Sequence, residues 1–152
     1  MKGLSTQELD AVLKSNAVTK KSFLGTFPAC MIPKTRRTFY SFITNSEEHD
    51  ESGEHWNAWI VEGTTLTFFD SFSRDPTDPQ FPEHYREIIK NFDTVRYVSR
   101  RIQSLKSVFC GHFCIHFIYI MSLGLDVESF LEDYSKKYSR NDDIVLSIIS
   151  QF

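Results

Sequence analysis

Residues 108–125 form the most apolar run of the chain, and no Asp, Glu, Lys or Arg occurs between Lys106 and Asp126. The run is long enough to raise the question of a membrane span. Two features argue for a buried core helix instead: it carries His112 and His116, and Gly111 and Gly124 interrupt it. The helix is expected from Cys110 to about Leu123, with Gly124 as its stop. The rest of the chain then has to pack around it.

What can cover such a helix is read from the flanking patterns. Ser5-Thr6-Gln7-Glu8 is a capping box, and Leu9, Val12 and Leu13 share one face, so residues 6–15 read as a first helix. Residues 27–33 read as an irregular connection. Residues 38–44 are aromatic and β-branched and read as a strand. Residues 45–54, rich in Asn, Ser and acidic side chains, read as a surface loop. Strands are expected at 56–61 and 66–70, joined by a hairpin turn at Glu62-Gly63-Thr64-Thr65. A Pro-rich loop at 73–82 leads into a helix at 82–90 with Pro82 at its start. A strand follows at 94–99, and residues 100–108 connect it to the apolar helix. Asp126 is expected to cap a helix to about residue 136, and Asn141 a last one to residue 149. The fold class is therefore α+β: a small mixed or antiparallel sheet packed on the central helix that starts at Cys110, in one domain over residues 1–152.

Four residue types fall in a suggestive order along these elements. His55 enters one strand of the hairpin and Asp70 leaves the other, so antiparallel pairing brings both to one end of the sheet. Gln103 lies in the connection and Cys110 opens the helix. A thiol is a strong nucleophile only as a thiolate, and a helix N-terminus or a nearby imidazolium favours that form. His55 would act as the base, Asp70 would orient it, and Gln103 with the Cys110 backbone N–H would hold an oxyanion. Trp56 either shields this site or packs in the core, and Gly111 would let a substrate carbonyl approach without a Cβ in the way. Each has a plain alternative: a structural Cys, a strand-end turn Asp, an ordinary loop Gln.

The pieces Gly53-Glu54-His55-Trp56, Phe68-Phe69-Asp70-Ser71-Phe72, Ile102-Gln103-Ser104 and Cys110-Gly111-His112-Phe113-Cys114 together resemble the adenovirus-type (adenain-like) cysteine endopeptidases. More distantly they resemble the proteases that process ubiquitin-like modifiers. Leu4-Ser5-Thr6-Gln7-Glu8-Leu9 and Phe23-Leu24-Gly25-Thr26-Phe27-Pro28 extend the resemblance to roughly residues 4–124, while Cys30 stands where the family often has an acid. The resemblance implies a papain-like superfamily fold with permuted chain order and a source in a DNA virus or virus-like mobile element. It implies cleavage at or next to Gly, with viral precursor polyproteins as substrates during particle maturation. A DNA or peptide activator, and a place in the host nucleus or virion, are implied in the same way. A protease of ubiquitin-like modifiers and an idle binding module on the same fold are the alternatives.

Composition narrows the rest. A net charge of −3 argues against bulk nucleic-acid binding, so the pairs Lys20-Lys21, Arg36-Arg37 and Arg100-Arg101 read as solvated surface. Three cysteines without framework spacing, and no apolar signal run at Met1-Lys2-Gly3-Leu4-Ser5, lead to an expected soluble, intracellular protein with no membrane partner. Cys110/Cys114 and His112/His116 are each four apart, but on a helix the two pairs point to different faces. No metal site and no cofactor are expected. Cys114, one turn below Cys110, is expected to be structural.

Overall fold

A computed structural model describes residues 3–50 and 53–152. The elements run α1 (Thr6–Ser15), β1 (Phe23–Phe27), a short 3-10 turn (Ala29–Met31), β2 (Phe39–Asp50), β3 (Gly53–Glu62), β4 (Thr65–Phe69), α2 (Glu83–Ile89), β5 (Thr94–Tyr97), α3 (Cys110–Ser122), α4 (Val127–Leu131) and α5 (Tyr138–Ile149). The strands form one sheet in the order β1-β2-β3-β4-β5. The outer pairs, β1-β2 and β4-β5, are parallel, and the two inner pairs are antiparallel. The expected α+β class with a mixed sheet is what the chain adopts.

The alternation of β3 explains the layers. Trp56, Ala58 and Ile60 face one core with Leu9, Phe69, Phe113 and Phe117, beneath α1, α3, α4 and α5. Trp59 and Val61 face a second core with Phe42, Phe68, Phe81 and Tyr85, beneath α2. The sheet therefore separates two apolar layers, and α3 is covered as its largely apolar sequence requires. No helix among the described residues is long and apolar enough to cross a membrane.

Several elements form as their local chemistry dictates. Ser5 accepts from the Glu8 N–H and Glu8 returns a bond to Ser5, closing the capping box of α1. Gly124, at φ 82°, ends α3: its N–H reaches the Met121 carbonyl and Leu125 N–H the Ile120 carbonyl, a Schellman motif. Gly63, at φ 61°, makes the β3-β4 turn.

One strand is added and three expectations are corrected. Residues 23–27 form a strand, β1, that residue pattern alone did not reveal. It is short, and its pairing with β2 shifts register around Gly25. The expected loop at 45–54 is largely strand. Here β2 and β3 continue pairing to Asp50↔Gly53, past a register shift between Asn45 and His49, so pairing overrides the weak strand propensity of the polar residues. Residues 51–52 lie outside the described residues. Helix α4 stops at Leu131 instead of about 136, and Arg100 caps its end by donating to the carbonyls of Leu131 (3.3 Å) and Tyr134 (2.8 Å). Asn141 does not cap α5, whose N-cap is Lys137. Its buried amide instead donates to the carbonyls of Ile102 (2.8 Å) and Ser135 (2.9 Å) and accepts from Ser135 N–H (2.8 Å).

Candidate active site

The β3-β4 register pairs Ala58 with Phe69. Continuing it, Asp70 falls level with Asn57, and His55 lies one step diagonal to it on the same face. His55 Nε2 meets Asp70 Oδ1 at 2.5 Å. The register shift between β2 and β3 lies beside this position, where bulges commonly re-aim a side chain.

Asp70 has no solvent exposure, and its oxygens are fully engaged. Asn57 Nδ2 donates to Oδ1 at 2.8 Å, and Phe72 N–H donates to Oδ2 at 3.2 Å. Arg74 donates through Nε to Oδ2 (3.1 Å) and through Nη2 to Oδ1 (3.2 Å). Behind Asn57 runs a chain of donors. Tyr85 Oη donates to Asn57 Oδ1 (2.7 Å), so Thr44 Oγ1 must donate to Tyr85 (2.8 Å) and in turn accepts Trp59 Nε1 (2.9 Å). Every donor in this chain points toward the carboxylate. Burial alone would raise the Asp70 pKa, but the bonds and charges of His55 and Arg74 outweigh it and hold the carboxyl well below its usual range.

Cys110 is buried at the first position of α3, and no side chain caps that helix end. Its Sγ donates to the Glu54 carbonyl at 3.5 Å, next to His55. Burial works to lower the His55 pKa. Hydrogen bonds to Asp70 and Cys110, and the charges of both, overcome that and raise it to about 10. Nε2 is given to Asp70, which leaves the other ring nitrogen for the thiol. The Phe72 ring stacks on His55 at 5.4 Å.

Gln103 is buried in the connection before α3. Its Nε2 faces the Ser107 carbonyl (2.9 Å), an acceptor only, which fixes the amide orientation. Its Oε1 accepts from Ser71 Oγ, and its backbone N–H donates to the Ser71 carbonyl (3.2 Å). One amide hydrogen is thereby used, and among the described residues the second has no acceptor. The loop is held further by Ser107, which donates to Asp142 of α5 (2.6 Å) and accepts from Phe109 N–H (3.2 Å).

His55, Asp70 and Cys110 are thus brought together, and Gln103 is tied to the residue that follows Asp70. Trp56 is 2% exposed and donates from Nε1 to the Leu4 carbonyl (3.0 Å). It also lines a cavity of about 220 Å³ with Thr6, Thr26, Phe27, Pro28 and Asn45. A Cβ added at Gly111 would meet Leu9 and Trp56 at 3.3 Å and Leu4 at 3.4 Å, so the close packing of α1 on α3 accounts for the glycine there. Cys114 is fully buried, donating to the Trp56 carbonyl (3.5 Å), and His116 bonds Tyr134 Oη (2.7 Å) in the core. Sequence reasoning missed Asn57 and Arg74. Asn57 is two residues from His55 and so on its face of the strand, a signal that was available. Arg74, beyond a turn, left none.

No protein-family model and no curated protein matches the chain. Two crystal structures of the ASFV pS273R protease, one of its Se-Met form, are similar to it, with TM-scores of 0.60 and 0.59 at 15% identity. The superpositions cover 95% of this chain and 66% and 67% of theirs, so this chain spans about two thirds of that protein's length. The likeness is one of fold.

Proposed function

We propose that the chain is a cysteine endopeptidase with Cys110 as nucleophile, and the observation that carries this is the buried His55, bonded to Asp70 at 2.5 Å, beside the Cys110 thiol, whose Sγ lies 3.5 Å from the carbonyl of the preceding residue Glu54. The thiol proton passes to His55, giving a thiolate and an imidazolium. The thiolate Sγ attacks a peptide carbonyl carbon. The remaining amide hydrogen of Gln103 and the backbone N–H of Cys110 receive the oxyanion. His55 gives its proton to the departing amine as the C–N bond breaks, leaving a thioester. Water attacks the thioester, His55 takes its proton, and the acid product leaves with the thiol restored. Asp70 holds the imidazole in one tautomer throughout.

The fold shared with a viral protease supports this reading, and so does the resemblance to adenain-like enzymes, which also carries its finer parts. These are a papain-like core in permuted chain order, cleavage at or next to Gly, and maturation of viral precursor proteins in the virion or host nucleus. A DNA or peptide activator belongs to the same reading. The test is covalent labelling with a peptide that ends in Gly and bears a vinyl sulfone. One probe per chain, on Cys110 and lost in His55→Ala, is expected. No adduct contradicts the reading, and an adduct only with a ubiquitin-like modifier probe moves the substrate to that class.

A further inference from the structure

Asp70, Phe72 and Arg74 lie within five residues, and all three act on the same imidazole or its partner. Asp70 bonds His55, Phe72 stacks on it, and Arg74 grips Asp70 with a two-point fork. The return of Arg74 to Asp70 is built into the backbone. Ser73 has φ 68°, a conformation that residues other than glycine seldom adopt. Its N–H bonds the Asp70 carbonyl (2.8 Å), and Arg74 N–H bonds Asp70 Oδ2 (3.3 Å). The guanidinium is fixed from outside as well, over the Phe81 ring at 4.4 Å and donating to Gln80 Oε1 at 3.3 Å. The pair is not a loose surface contact: the Arg74 side chain is 17% exposed and that of Asp70 is 0%.

Charge counting gives this fork a task. A thiolate, an imidazolium and a carboxylate sum to one net negative charge in a buried site, and an uncompensated buried charge is costly. Among the described residues, the groups around the cluster include His55 of β3, Cys110 and Cys114 of α3, Arg74 itself, and Tyr85 of α2 acting through Asn57. Arg101 lies against the Phe72 ring at 5.8 Å and is spent on the Gln103 carbonyl and Tyr138. Among the described residues, Arg74 is the cation in direct contact with the carboxylate apart from His55. We propose that Arg74 is a positioning residue of the site, supplying the counter-charge to Asp70 that lets the Cys110 thiolate and His55 imidazolium form together. The inference rests on the cysteine-protease reading above.

The test needs no substrate. Iodoacetamide alkylation of the full chain is followed against pH, with each cysteine resolved by peptide mass, for the wild type, Arg74→Gln and Arg74→Lys. Exposed Cys30 serves as an internal reference and buried Cys114 as a folding control. In Arg74→Gln, alkylation of Cys110 at neutral pH should fall about tenfold and its profile move up by about one pH unit. Arg74→Lys, which keeps the charge and loses the fork, should keep the profile in place. An Arg74→Gln profile that only loses amplitude overturns the inference. So does an Arg74→Lys profile displaced by a unit, which decides the matter alone if the glutamine variant does not fold. Wild-type Cys110 no more reactive than Cys30 at neutral pH sinks the protease reading, and this inference with it. A reactive Cys110 indifferent to Arg74 sinks this inference alone.

Discussion

His55 carries the pH behaviour of the site. Its pKa is raised to about 10 by Asp70 and Cys110, so its stabilising share is complete below its ordinary value of 6.5 and lost as pH rises through about 10. The Asp70 pKa is depressed, so its share is present above the ordinary carboxylate value and lost as pH falls through the lower folded one. Melting temperature should therefore decline at both extremes. On the basic side the decline follows His55, and kcat/KM should share that limb. Asp70→Asn removes the larger of the two interactions that raise His55. It should lower kcat/KM about 100-fold and shift the basic limb to lower pH. A limb that stays near pH 10 in this variant would show that Asp70 does not tune the imidazole. At this scale the order of His55, Asp70, Gln103 and Cys110 could be read from the sequence because His55 and Asp70 belong to a recognisable hairpin, Cys110 opens a recognisable helix and Gln103 lies in the connection before it. Arg74 was not, because its contact depends on the left-handed backbone at Ser73, and nothing in a serine announces that conformation.

Elements that carry no reacting group hold the site in register. Helix α5 supports the loop before α3 at two points, Asn141 on the Ile102 carbonyl and Asp142 on Ser107. Asn141→Ala leaves buried partners unpaired and should cost about 1–3 kcal/mol in denaturant unfolding. Asp142→Ala frees Ser107, whose carbonyl orients Gln103, and should lower kcat more than it raises KM. A raised KM with kcat unchanged would mean the strut acts on substrate binding instead. Tyr85→Phe cuts the donor chain behind Asn57 at a buried hydroxyl and should lose about 1 kcal/mol or more of stability. The sequence placed Asn141 at a helix start because Asn is a good cap, and missed that its amide was claimed by the backbone of a segment 39 residues away. The long β2-β3 hairpin was misread for a related reason: Asn45 and Ser46 favour loops locally, while pairing across the strands is a non-local gain.

Across the whole molecule, one apolar helix dictates the arrangement. Helix α3 needs cover on every side, the sheet supplies one wall, and α1, α4 and α5 supply the others. That arrangement delivers the open N-terminus of α3 to the sheet end where β3 and β4 present His55 and Asp70. The central helix, the hairpin and the α+β class were readable because periodicity and apolar length are properties of the chain itself. The parallel outer pairs, β1-β2 and β4-β5, were not, because their partners are distant in sequence. The central claim is that this framework serves peptide-bond cleavage by Cys110. Its most direct test is digestion of an unbiased peptide library, read by mass spectrometry, with the wild type beside Cys110→Ala. Cuts clustered beside Gly that vanish in Cys110→Ala are predicted. Cuts that persist in that variant would contradict the account.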